Sequence, residues 1–242
     1  YPVQLAYLLY KNTGMTEQFN SDFVEGVKKI LNVFTTEQDH AQSPYLFERD
    51  TWRQEDTLVE AGKGIPVGKT GMTWSGFRPS DDACQYGYLV PSNMFAVVIL
   101  GYIQEIFSDV LEDATIVAIA KKLQEEIEEG IQTFGRTKNQ NNETIYAYEV
   151  DGLGNASVMD DSNVPNLVAA PYLGYCSTED EQYLTTRQTL LSKENPYFYE
   201  GKYAKGIGSS HTPENYVWPI ALAMEGMTTK DKAEKERILD LL

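Results

Sequence analysis

Four times along this 242-residue chain a proline stands at the head of a run that is apolar on almost every side. The runs are Tyr1-Pro2-Val3-Gln4-Leu5-Ala6-Tyr7-Leu8-Leu9, Val90-Pro91-Ser92-Asn93-Met94-Phe95-Ala96-Val97-Val98, Val164-Pro165-Asn166-Leu167-Val168-Ala169-Ala170 and Trp218-Pro219-Ile220-Ala221-Leu222-Ala223-Met224. Proline suits the first position of a helix, where its missing N–H would have had no partner. A helix without a polar face has to be covered all round. Each run therefore predicts a fully buried inner helix.

A second kind of helix follows each run. Phe23, Val27, Ile30, Leu31 and Phe34 mark one apolar stripe, and Ile116, Ala120, Leu123, Ile127 and Ile131 mark the next, opposite an acidic face. Thr178 and Glu181 have capping-box spacing ahead of Tyr183, Leu184, Leu190 and Leu191, and Thr228 and Asp231 precede Ala233, Ile238, Leu241 and Leu242. Buried helix then half-buried helix predicts an all-α toroid, one ring inside another, in a single domain over 1–242. The prolines, at 2, 91, 165 and 219, are too unevenly spaced for a regular solenoid. The chain opens inside one helix signal and closes in the apolar run 238–242, so the expectation is an incomplete (α/α)6 toroid, about four of six hairpins, truncated at both ends. Small β-hairpin elements are expected in the loops, at 69–77 and at 145–150 before the turn Asp151-Gly152-Leu153-Gly154-Asn155. Open toroid ends would expose apolar surface and favour self-association.

Charge and composition narrow the function. Thirty-six acidic residues against 20 basic ones give a net charge of -16, which repels phosphate backbones and anionic membranes. No apolar run is read as reaching the roughly 20 residues of a bilayer span. Two cysteines, Cys84 and Cys176, form no CxxC pair and point to a reducing, cytoplasmic setting. With two histidines, and only His211-x-x-Glu214 at metal-ligand spacing, no metal site is expected. The glycines of 206–208 lack the Lys-Ser/Thr ending of a phosphate loop, and no cofactor is expected.

Two loops end in paired aspartates just ahead of an inner-helix signal. One reads Arg78-Pro79-Ser80-Asp81-Asp82, the other Met159-Asp160-Asp161-Ser162-Asn163. Either pair could simply cap a helix. Two pairs in equivalent places of a toroid would instead converge on one cleft. Glycoside hydrolysis needs two carboxyl groups, one to protonate the leaving oxygen and one to activate water or attack carbon, and neighbouring carboxylates push each other's pKa up toward the acid role. His211 and Trp218, from a third loop, are groups that grip sugars, although Trp218 could equally be core packing.

The stretches SGFRPSDDACQYGYLVPSNMFAVV, YAYEVDGLGNASVMDDSNVPNLVAAPYLGY, NPYFYEGKYAKGIGSSH and YPVQLAYLLYKNTG run in order along nearly the whole chain and closely resemble glycoside hydrolase family 125. That resemblance implies an (α/α)6 barrel and a metal-independent inverting exo-α-1,6-mannosidase acting on α-mannosides such as N-glycans. It places the general acid in 78–82, Asp81 favoured over Asp82 although the motif alone does not separate them. It makes Arg78, Asp160, Asp161, Asn163 and His211 sugar-contacting or supporting residues. Around 212–216 the sequence departs from the family, so Glu214 is not read as catalytic. The family's N-terminal Trp-Leu-Arg-Asp motif, and its C-terminal Met-His-Glu motif with the expected general base, have no counterpart here. The chain alone is therefore expected to hold the acid and part of the sugar site but no base. A non-catalytic glycan-binding or structural remnant is the competing expectation. A polysaccharide lyase on a similar toroid fits the negative charge less well.

Overall fold

The computed structural model describes all 242 residues, and helix dominates it, at 47% against 8% strand. The helices are α1 (Pro2–Thr13), α2 (Ser21–Glu37), α3 (Val90–Asp109), α4 (Ala114–Phe134), α5 (Ala170–Leu173), α6 (Glu181–Leu190), α7 (Pro219–Met227) and α8 (Lys232–Leu241). Odd and even helices alternate along the chain as pairs. α1 packs on α3 and α3 on α5, while α2 packs on α4, so the two kinds of helix form separate layers.

The centre is α3 against α4. Eleven α3 residues are buried, among them Met94, Leu100, Ile103, Ile106 and Phe107, on a helix with almost no polar side. Burying each such side chain contributes about 1.5–3 kcal/mol relative to leaving it in water. α4 is amphipathic, and buries Ile116, Ala120, Leu123, Ile127 and Ile131. Asp113 caps its first turn by accepting from the Thr115 and Ile116 amides. Contrary to expectation, α3 has the length and composition of a bilayer span. A buried core helix meets the same criterion, and α3 packs directly against α4.

Three expectations need correcting. Pro165 does not open a helix. Residues 164–169 form a loop wrapped around the Asp160 carboxylate, and helix exists only over the single turn of α5. α1 and α7 are not covered all round: Leu5, Leu8, Leu9, Ile220 and Met227 are exposed because nothing within these 242 residues packs on those faces. α6 is capped by Asp180, which accepts from the Tyr183 amide, and not by a box starting at Thr178.

The strands are short: β1 (Tyr88–Leu89), β2 (Arg136–Lys138), β3 (Thr144–Tyr146), β4 (Glu149–Val150), β5 (Ala156–Ser157), β6 (Phe198–Glu200) and β7 (Lys205–Ile207). β1-β4-β5 form one antiparallel sheet, and β2-β3 and β6-β7 are hairpins. The turn at 151–155 is held by Asp151, which accepts from the Leu153 and Asn155 amides. Residues 69–77 do not form the expected hairpin. Their amides bond elsewhere, Thr73 to the Asn93 side chain, Trp74 to the Glu37 carbonyl and Ser75 to the Gly87 carbonyl. This segment crosses α4 so closely that a Cβ at Gly130 would lie 2.5 Å from the Thr70 carbonyl oxygen.

Candidate active site

The segment that leaves this crossing folds back as a tight hairpin. Phe77 pairs with Ala83, and the Cys84 amide donates to the Gly76 carbonyl. At the tip the Arg78 amide donates to the Asp82 carbonyl, and the Asp81 amide to the Arg78 carbonyl. Asp81 takes φ +66°, a left-handed conformation that Asp tolerates better than most residues. It is exposed, and its carboxylate has neither a hydrogen bond nor an ion pair. Asp82 is buried, accepts from the Ser80 hydroxyl at 3.1 Å and lies 3.7 Å from the Arg53 guanidinium.

Below the tip, Arg78 donates through Nε and a terminal nitrogen to the two oxygens of Glu149, at 2.5 and 3.1 Å. Glu149 is fully buried on β4, and also accepts from the Gln85 and Tyr86 amides. Burial disfavours the Arg78 charge, but Glu149 outweighs it and holds the guanidinium above its ordinary pKa. The guanidinium also lies over the Tyr148 ring, 5.8 Å from its centroid.

Tyr148 leads to the second loop, since its hydroxyl donates to Asp161 Oδ1 at 3.2 Å. Asp161 is fully buried and its Oδ2 has no partner. Asn163 donates from its amide to Asp161 Oδ1 and from its side chain to the Ser209 hydroxyl, 3.2 Å in both cases. That hydroxyl accepts from the His211 amide, and the His211 ring returns to the first loop, with Nε2 donating to the Ser80 carbonyl. A carbonyl only accepts, so this contact puts the proton on Nε2. Tyr197 senses the charges of this circuit. Burial raises its pKa, the Arg78 charge opposes the rise, and the Asp161 and Asp82 charges add to it.

Six of the expected residues, Arg78, Asp81, Asp82, Asp161, Asn163 and His211, thus come together from three separate loops. Two stand apart from the surface of this site. Asp160 has no exposure and its oxygens are occupied by the Ser162 amide, the Val168 amide and the Asn166 side chain, so it organises the loop and does not face a ligand. Trp218 precedes α7 and packs against the hydrophobic core. Sequence reasoning missed Glu149, Tyr148, Tyr197 and Arg53. Asn195 was also missed; it braces Asp160 by bonding both its amide and its carbonyl. No group of three or more His, Cys, Asp or Glu side chains is arranged to hold a metal ion. A cavity of about 620 Å³ lies elsewhere, between α1, α3 and α4, lined by Tyr7, Tyr102, Glu105 and Tyr175 among others.

Asp160 also gives a pH signature. Burial pushes its carboxyl up from 3.8 to about 7, against the amide donors that favour the ionised form. In the unfolded chain it loses its proton near the ordinary value, and in the folded chain only near 7. Between those values the folded state holds the extra proton, so this group's stabilising contribution falls as pH rises and levels off above about 7. Urea unfolding between pH 4 and 8 should show this component, on the order of a few kcal/mol, as a difference between the native sequence and Asp160→Asn. Parallel stability curves for the two proteins would contradict it.

A family model described as metal-independent alpha-mannosidase (GH125) matches residues 1–242. The chain belongs to family GH125. Among solved structures, this GH125 chain is similar to a Streptococcus pneumoniae metal-independent alpha mannosidase, seen in a non-productive substrate complex with alpha-1,6-mannobiose. The two are 62% identical with a TM-score of 0.97, and the match covers 100% of this chain and 57% of the other. The Meiotically up-regulated gene 157 protein of Schizosaccharomyces pombe is 34% identical over 251 residues, covering 99% of this chain and 49% of that protein. The GH125 chain thus spans about half the length of the relatives it matches.

Proposed function

We propose that these loops form the acid side of an inverting exo-α-1,6-mannosidase site, and that 1–242 is a segment of the corresponding (α/α)6 toroid. One observation carries this reading. The His211 contact to Ser80 brings two sequence-distant loops together beside the free carboxylate of Asp81. A general acid has to reach a leaving oxygen, and Asp81 alone of the gathered carboxyl groups is exposed; Asp82, Glu149, Asp160 and Asp161 are buried. Asp161 is buried beneath this surface, where its Oδ1 accepts from Tyr148 and Asn163, so it supports the loops and does not meet the sugar directly. The packing of α1 on α3 and α3 on α5, with α2 on α4, supports the toroid. The pneumococcal relative's complex with alpha-1,6-mannobiose supports the linkage.

An inverting enzyme also needs a base across the sugar ring, about 6.5–9.5 Å from the acid. No second free carboxylate stands in this cluster, so the proposal assigns 1–242 binding without turnover. Calorimetric titration of 1–242 with α-1,6-mannobiose, run beside a hydrolysis assay, is expected to show saturable binding and no release of mannose. Absence of binding would overturn the mannoside reading. Hydrolysis at an ordinary enzymatic rate would overturn the assignment of the base to another segment.

A further inference from the structure

Trp52 is 91% exposed, the most exposed large hydrophobic side chain of the protein. Indole is a large apolar group that is usually well buried, so this placement is unfavourable for an isolated chain. The loop that carries it is firmly held. The Phe47 amide donates to the Gly62 carbonyl, the Leu58 amide to the Phe47 carbonyl and the Arg49 amide to the Thr57 hydroxyl. Leu58 is buried, and the Phe47 ring meets Phe77 edge-on at 5.0 Å. The loop is also tied to the candidate acid turn. The Ala83 amide donates to the Glu55 carbonyl at 2.7 Å, and Arg53, next to Trp52, reaches to 3.7 Å from Asp82. An anchored loop therefore presents a bare indole to solvent, one residue from the arginine that reaches Asp82.

We propose that Trp52 is the stacking platform for the sugar on the leaving-group side of the scissile bond, an assignment that rests on the mannosidase reading above. A general acid acts on the leaving oxygen, so an aromatic group tied to the acid's turn borders the departing sugar. A pyranose offers a flat face of C–H bonds, which a planar apolar ring can cover while the sugar hydroxyls stay in water. The sugar is uncharged, so the net charge of -16 does not oppose its approach.

The test compares the native sequence with Trp52→Ala and Trp52→Phe, titrated with mannose and with α-1,6-mannobiose. Because Trp52 is exposed, neither replacement should disturb the fold, and circular dichroism melts should overlay. Trp52→Ala is expected to weaken mannobiose binding roughly three- to tenfold and leave mannose binding unchanged, with Trp52→Phe retaining most of the affinity. Iodide quenching supplies an independent readout, since Trp74 is buried and Trp218 half-buried. Mannobiose should shield the quenchable tryptophan, and mannose should not. If the native chain binds mannobiose but Trp52→Ala binds it equally well, the assignment of Trp52 is overturned while the mannoside reading stands. If neither sugar binds the native chain, both fall together.

Discussion

On the mannosidase reading proposed above, Asp81→Asn is expected to lower hydrolysis of an α-1,6-mannoside by about two to four orders of magnitude in kcat, measured in the full-length enzyme. The two adjacent carboxylates sit in different surroundings. Asp82 is buried and engaged by Ser80 and Arg53, whereas Asp81 is exposed, unengaged and held in a left-handed conformation at the tip of the hairpin. Asn accepts the same backbone conformation, so Asp81→Asn should leave the unfolding midpoint almost unmoved. Asp82→Asn, in contrast, disturbs a buried contact and should destabilise. The rate loss has a diagnostic dependence on substrate. An acid matters most when the leaving oxygen is basic, so a nitrophenyl mannoside should recover much of the lost rate and mannobiose should not. A base replaced by its amide would slow both substrates alike. If Asp82→Asn shows the leaving-group dependence and Asp81→Asn keeps its rate, the acid is Asp82.

Much of the frame was readable because local chemistry and burial agree. In α3 a proline, a continuous apolar run and the absence of charge all indicate a core helix, and eleven of its residues are buried. Asp113 caps α4 immediately ahead of its apolar stripe. The 164–170 run carried the same outward signs and misled, because its apolar side chains pack in a loop whose amides are claimed by Asp160. A sequence does not show that competition, since it depends on a buried carboxylate lying within reach of those amides. The candidate site divides the same way. Paired aspartates are visible as a pattern, so both loops stood out. Glu149 did not, because its partner Arg78 is 71 positions away and a glutamate in a short strand looks like any solvent-facing residue. Trp52 escaped for a different reason: nothing in the residues around a lone tryptophan marks it as bare.

Glu149 sets the second large effect. Arg78→Met is expected to cost about 3–5 kcal/mol in unfolding free energy, because it leaves a fully buried carboxylate without its countercharge. The Gln85 and Tyr86 amides still donate to Glu149, which favours the lower end of that range. For a chain of this length the loss corresponds to a fall of roughly 6–20 °C in melting temperature. Arg78→Lys should recover only part, since an ammonium cannot reproduce two parallel N–H donors. The double replacement Arg78→Met with Glu149→Leu separates charge from packing. It removes the stranded carboxylate and should be more stable than Arg78→Met alone, yet short of the native chain, because the Gln85 and Tyr86 amides then lose their acceptor. Urea denaturation of the three proteins measures all of this at once. A loss below about 1 kcal/mol for Arg78→Met would mean that the pair behaves like a surface salt bridge. The 78–82 hairpin would then be held by its backbone bonds and not by the arginine beneath it.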